Sequence, residues 1–238
     1  MHRFFTNEIQ PHTAVVRGDD VKHIAKVLRL RSGDAVQLCD GQGNECDAVI
    51  ASIAPDSVVC DTGPWRRANT EPAVSVTLFQ CLPKAGKMET IIQKCVELGA
   101  CGFVPVQSLR CVVVLKPPYA GRIERWQRVS EEAAKQSRRG IIPTVSEPVD
   151  LTKLDFSGFD LVLAAYENER TVSLKAALQG FSGTRIAIVI GPEGGFSEDE
   201  IGTLTAKGAK SVSLGTRILR TETAGMAMTA QILYEVEP

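Results

Sequence analysis

The chain has 238 residues, of which 44% are hydrophobic and 23% charged, and its formal net charge is −1. This is a globular mixture long enough for one large core or two modest ones. It excludes a global basic field as the sign of a nucleic-acid partner, so local clusters must carry that case. The seven cysteines, Cys39, Cys46, Cys60, Cys81, Cys95, Cys101 and Cys111, form no C-x-x-C pair, which reads as reduced thiols filling cores in a cytoplasmic protein. The N-terminal MHRFFTNEI lacks an apolar signal region. No apolar run approaches the ~20 residues that span a bilayer, so no membrane partner is expected.

Before residue 70 the patterns are short. DDVKHIAKVLRL places Val21, Ile24, Val27 and Leu28 at helical spacing. DAVQLCD and ECDAVIASI flank GQGN (Gly41–Asn44) as two strands around a hairpin loop, and SVVCDT adds another strand. One helix with several short strands predicts a small β-barrel domain over residues 1–68. The polar, proline-bounded GPWRRANTEP, Gly63–Pro72, reads as a linker. From 69 to 238 the chain alternates. VSVTLF, GFVPVQ, FDLVLAAY, RIAIVIG and KSVSLG read as strands. KMETIIQKCVELG, GRIERWQRVSEEAAKQSRR, TVSLKAALQ, SEDEIGTLTAKG and ETAGMAMTAQILYEV read as helices. Such alternation predicts an α/β domain with a parallel sheet covered on both faces.

Ligands of such sheets bind beyond the carboxyl ends of the strands. Three strand ends offer loops here: near Tyr166 and Glu167, at Gly191, and at Gly215. The loop Gly-Pro-Glu-Gly-Gly, Gly191–Gly195, has no Gly-Lys-Ser/Thr, which argues against a triphosphate. A carboxylate on a glycine-rich loop suits a ligand with an amine or another positive centre. The bland alternative is a tight turn into a helix capped by Ser197 and Glu200, which fit S-x-x-E. A second glycine cluster, VELGACG, follows a helix and precedes a strand. That context is the reverse of a nucleotide-binding turn, so Gly99 reads as a helix C-cap.

IGPEGGFSEDEI and SLGTRILRTETAGMAM resemble the two signature loops of the SPOUT class of RNA methyltransferases, and more narrowly the ribosomal RNA small subunit methyltransferase E family. HIAKVLRLRSGD, KMETIIQKCVELGA and RWQRVSEEAAKQSRR agree, so the resemblance spans almost the whole chain. One departure is Arg110-Cys111, where the family usually has Arg-Ser. The resemblance implies an N-terminal PUA-like barrel and a C-terminal SPOUT α/β domain closed by a trefoil knot. It also implies a homodimer, S-adenosylmethionine as cofactor and no metal. The implied activity is methylation at N3 of a uridine in 16S ribosomal RNA, within the assembled small subunit. The implied cofactor residues are Leu163, Ala165, Gly191, Pro192, Glu193, Gly195, Leu214, Gly215, Ile218, Leu219, Thr223 and Ala224.

Uridine N3 is a poor nucleophile until its proton leaves, so the chemistry needs charge stabilisation and a proton acceptor. Arg220, one residue before an expected helix N-cap at Thr221, is the candidate stabiliser. Glu222 and Glu193 are the candidate acceptors, with first-turn helix stabilisation the alternative role of Glu222. Candidate RNA-binding cations are His23, Lys26, Arg29 and Arg31 in the first domain and Arg110, Arg122, Arg125, Arg138 and Arg139 in the second. Arg128 and Lys135 lie on the same long helix, which could instead be a solvated, salt-bridged one. Rival functions are a SPOUT enzyme acting on another rRNA or tRNA base and a non-enzymatic RNA-binding protein with a vestigial pocket.

Overall fold

The computed structural model describes residues 1–84 and 86–237. The chain divides into two compact units. The first is Met1–Glu71 with Ala134–Ile142, and the second is Pro72–Ala133 with Pro143–Pro238.

The first unit is built on β1 (His2–Phe5), β2 (Glu8–Gln10), β3 (Thr13–Arg17), β4 (Ala35–Cys39), β5 (Asn44–Ile53), β6 (Ser57–Thr62) and β7 (Arg66–Arg67). The sheet order is β1-β4-β5-β6-β3-β2, with β7 pairing β5, and only β1–β4 is parallel. The helical stretch is α1 (Asp19–Lys22) continued by a π-helical turn, His23–Val27. Val21 and Ile24 from it, with Val16, Leu38, Ile50 and Val58, form the core. The expected linker is not slack: Arg66 and Arg67 pair with Glu45 and Asn44 of β5. The segment 134–142 is fastened to this unit by Gly43 N–H donating to Gly140 O at 3.0 Å. Glu71 adds to this by accepting from the backbone N–H of Gly140 at 2.8 Å and of Ile141 at 3.2 Å.

The second unit runs β8 (Ser75–Cys81), α2 (Lys87–Glu97), β9 (Gly102–Gln107), α3 (Ala120–Gln136), β10 (Thr144–Val145), β11 (Val149–Asp150), β12 (Leu161–Ala165), α4 (Leu174–Leu178), β13 (Arg185–Ile190), α5 (Glu198–Ala206), β14 (Lys210–Val212) and α6 (Thr221–Val236). Its sheet order is β10-β9-β8-β13-β12-β14, and every pair is parallel. The chain builds outward from β8 to β9 and β10, then returns to place β13 between β8 and β12. Ile186 to Val189 are fully buried there, which is why RIAIVI is continuously apolar rather than alternating. On α2, Met88, Ile91, Ile92, Cys95 and Val96 form the buried face, as their spacing predicts. Gly99, at φ +102°, ends that helix. Among the described residues no helix is long and apolar enough to cross a membrane.

All seven cysteines are free, and all but Cys101 are buried. Burial pushes the Cys39 and Cys95 thiols up to about 12. Cys111 runs the other way: hydrogen bonding with Cys81 and Ser108 holds it at about 6 against its burial. Its Sγ lies 3.2 Å from Ser108 Oγ, so the side chain beside Arg110 turns inward.

Candidate functional site

β13, β12 and β14 lie side by side and parallel, so their carboxyl ends present three loops at one edge. The loop after β13 turns tightly, with Gly195 N–H donating to Pro192 O at 3.0 Å. Gly195 has φ +62°, and a Cβ there would come within 2.8 Å of Glu167 Cδ, so only glycine leaves that carboxylate in place. Ser197 and Glu200 form the expected capping box that opens α5. Glu200 also accepts the Leu109 N–H at 2.7 Å, and Arg110 Nη1 donates to Gly194 O at 2.9 Å and Phe196 O at 3.2 Å. The segment after β9 therefore braces the glycine loop.

Thr221 is the first residue of α6 rather than its N-cap; Arg220 occupies the cap, in extended geometry and without a side-chain bond. The Thr221 hydroxyl donates to Gly191 O at 2.6 Å and accepts from Gln80 Nε2 at 2.9 Å, tying the helix start to the ends of β13 and β8.

Between these loops is a cavity of about 540 Å³, within the size range of sites for small ligands and cofactors. Ten of the residues expected at the cofactor line it: Ala165, Gly191, Pro192, Glu193, Gly195, Leu214, Gly215, Ile218, Leu219 and Ala224. Arg220 lines it as well. Two expected residues do not. Leu163 is fully buried inside the sheet, two residues before the strand end at Ala165 where the cavity opens. Thr223 lies on the exposed side of α6, outside the lining.

The carboxylates are arranged in a way the sequence did not indicate. Glu193 is held by Lys87 Nζ at 2.9 Å and by the Lys84 N–H at 3.0 Å. The same Lys87 Nζ lies 3.2 Å from Glu222 Oε2. Lys87 is the first residue of α2, more than a hundred positions from the glycine loop, so no local motif announces it. Burial pushes both carboxyls up, but hydrogen bonds from backbone and Lys87 outweigh it and hold them below the ordinary carboxylate range. Donating to Glu193 and pairing with Glu222 raises the Lys87 ammonium in turn. Lys87, Tyr166, Glu167, Arg170 and Arg217 line the cavity without having been singled out from sequence. For Tyr166 and Glu167 the signal was present: they stand where β12 ends.

The expected RNA cations divide. In the first unit His23, Lys26, Arg29 and Arg31 are exposed, and Val27 among them is 70% exposed. Arg138 is exposed, with φ +60°. Arg139 is 3% exposed and bonded to Glu71 at 2.7 Å. Its guanidinium is consumed inside the unit, which removes it from the RNA-facing set. In the second unit Arg122 is exposed, Arg125 pairs with Glu89 at 3.1 Å while staying exposed, and Arg110 is committed to the glycine-loop carbonyls.

A family model described as RNA methyltransferase domain matches residues 70–233, and one described as RNA methyltransferase PUA domain matches residues 16–62. The chain is 36% identical to the ribosomal RNA small subunit methyltransferase E of Bacillus subtilis over 236 residues, covering 94% of this chain and 91% of that one. It is also similar to the crystal structure of a ribosomal RNA small subunit methyltransferase E from Neisseria gonorrhoeae bound to S-adenosyl methionine. That identity is 30% and the TM-score 0.87, with 98% of this chain and 97% of the other covered. Both units thus have their counterpart in one kind of protein, and the chain belongs to the ribosomal RNA small subunit methyltransferase E family.

Proposed function

We propose that the chain transfers a methyl group from S-adenosylmethionine to N3 of a uridine in 16S ribosomal RNA, acting on the small ribosomal subunit in the cytoplasm. The observation that carries this is the cavity at the ends of β12, β13 and β14, with Arg220 at its lining. The residues fit the cofactor. Leu214, Ile218 and Leu219 offer an apolar wall for an adenine ring, and Gly191 and Gly195 leave backbone groups accessible at the opposite loop. The cofactor supplies an already activated methyl group.

What remains for the protein is to align the uracil, hold the charge that develops on its carbonyls and take the N3 proton. Arg220, exposed at the start of α6, holds that charge, helped by the positive N-terminal end of the helix dipole. Glu222 is the better proton acceptor of the two carboxylates. Glu193 is occupied by the Lys84 N–H and by Lys87, whereas Glu222 Oε2 lies 3.2 Å from Lys87 Nζ and, among the described residues, accepts no hydrogen bond. The exposed cations of the first unit and Arg122 bind RNA phosphates. The trefoil knot of the SPOUT class belongs to this reading, supported by the contacts of α6 with the ends of β8 and β13. So does a homodimer, supported by Tyr234 and Ile218, which are 87% and 82% exposed.

Arg220→Ala is the test of the chemical step. The rate at saturating RNA should fall by about a hundredfold or more, as on loss of one oxyanion-type donor, while cofactor affinity measured by calorimetry barely changes. A rise in the RNA concentration required, at an unchanged saturated rate, would make Arg220 a phosphate contact instead.

A further inference from the structure

We propose that Glu167 is the carboxylate that receives the ammonium group of the cofactor, an inference that rests on the cavity being the S-adenosylmethionine site. Of the three carboxylates near the cavity, Glu193 and Glu222 already share Lys87. Glu167 is only part-exposed and lines the cavity, yet it has no hydrogen bond or ion pair among the described residues. A part-exposed carboxylate with no protein partner is available to form a charge-assisted hydrogen bond with a cationic ligand group. Its seat is specific: Gly195, on the neighbouring loop, has no side chain where the Glu167 carboxylate lies. The remaining charges sharpen the need. Arg170, Arg217 and Arg220 line the same cavity and suit the ligand's carboxylate, and Lys87 is taken by Glu193 and Glu222, so the ammonium needs an anion of its own. The apolar residues Leu214, Ile218 and Leu219 come from the loop after β14 and Glu167 from the loop after β12, so the adenine and the ammonium would meet different loops.

The experiment compares two ligands by calorimetry on the whole protein. S-adenosylhomocysteine carries the ammonium on a neutral thioether; 5′-methylthioadenosine keeps the adenine, ribose and thioether but lacks the amino-acid end. Glu167→Gln should lower S-adenosylhomocysteine affinity about tenfold or more and change methylthioadenosine affinity by less than about twofold. Gly195→Ala displaces the same carboxylate, so it should cause a similar loss, and combining it with Glu167→Gln should add little. Equal losses for both ligands would assign Glu167 to the ribose hydroxyls and overturn the proposal, as would no loss for either. If the unaltered protein binds neither ligand, the placement of the cofactor itself falls.

Discussion

Arg138 and Arg139 are neighbours in sequence with opposite environments. Arg138 is exposed and sits in the left-handed backbone region at φ +60°. Replacing it with glycine removes the cation and the backbone strain together. Arg138→Gly should leave the melting temperature nearly unchanged and lower the slope of log affinity for RNA against log salt by about one. An unaltered slope would take Arg138 out of the RNA surface. Arg139 is buried against Glu71, and breaking a buried pair by removing one partner costs about 3–5 kcal/mol. Arg139→Met should therefore lower the denaturant midpoint strongly; an unchanged midpoint would refute the structural role. Sequence could not separate the two. Both extend one charged helix, and what buries Arg139 is a glutamate 68 residues away.

At the scale of elements, the Glu193–Lys87–Glu222 cluster joins the loop after β13 to the first turns of α2 and α6. Both carboxyls are held below their ordinary value, so each is charged above that depressed pKa and loses its charge as pH falls through it. If Glu222 accepts the proton, the acid limb of kcat/KM lies below the ordinary glutamate pKa of ~4.3. Lys87→Met removes the cation and leaves burial and mutual repulsion, both of which raise carboxyl pKa values. The acid limb should then move to higher pH; a limb that stays in place would mean that neither carboxylate carries the essential titration. Of the elements around this cluster, α2, α5, β12 and β13 were legible because each bears a local signal: amphipathic spacing, a capping box or a continuous apolar run. The two-residue strands β7, β10 and β11 carry no such signal, since partners elsewhere in the chain define them. Lys87 was missed for the same reason: folding, not spacing, brings it to the glycine loop.

At the scale of the molecule, the alternation of strands and helices gave the parallel sheet, but no periodicity argument orders it β10-β9-β8-β13-β12-β14. That order, and the return of 134–142 to the first unit, depend on long-range pairing. The resemblance of the two loop motifs carried the sequence to its family. A homodimer should appear in light scattering at micromolar concentration as twice the mass of one chain; the mass of a single chain would contradict it. Methyl transfer to uridine N3 is measured most directly on small ribosomal subunits that lack the modification. These are incubated with the protein and S-adenosylmethionine labelled in the methyl group, and the 16S RNA is digested to nucleosides. Label is expected in N3-methyluridine, from a single site, and about a hundredfold less of it with Arg220→Ala over the same time. Label in a different nucleoside, or no label with the unaltered protein, would contradict it.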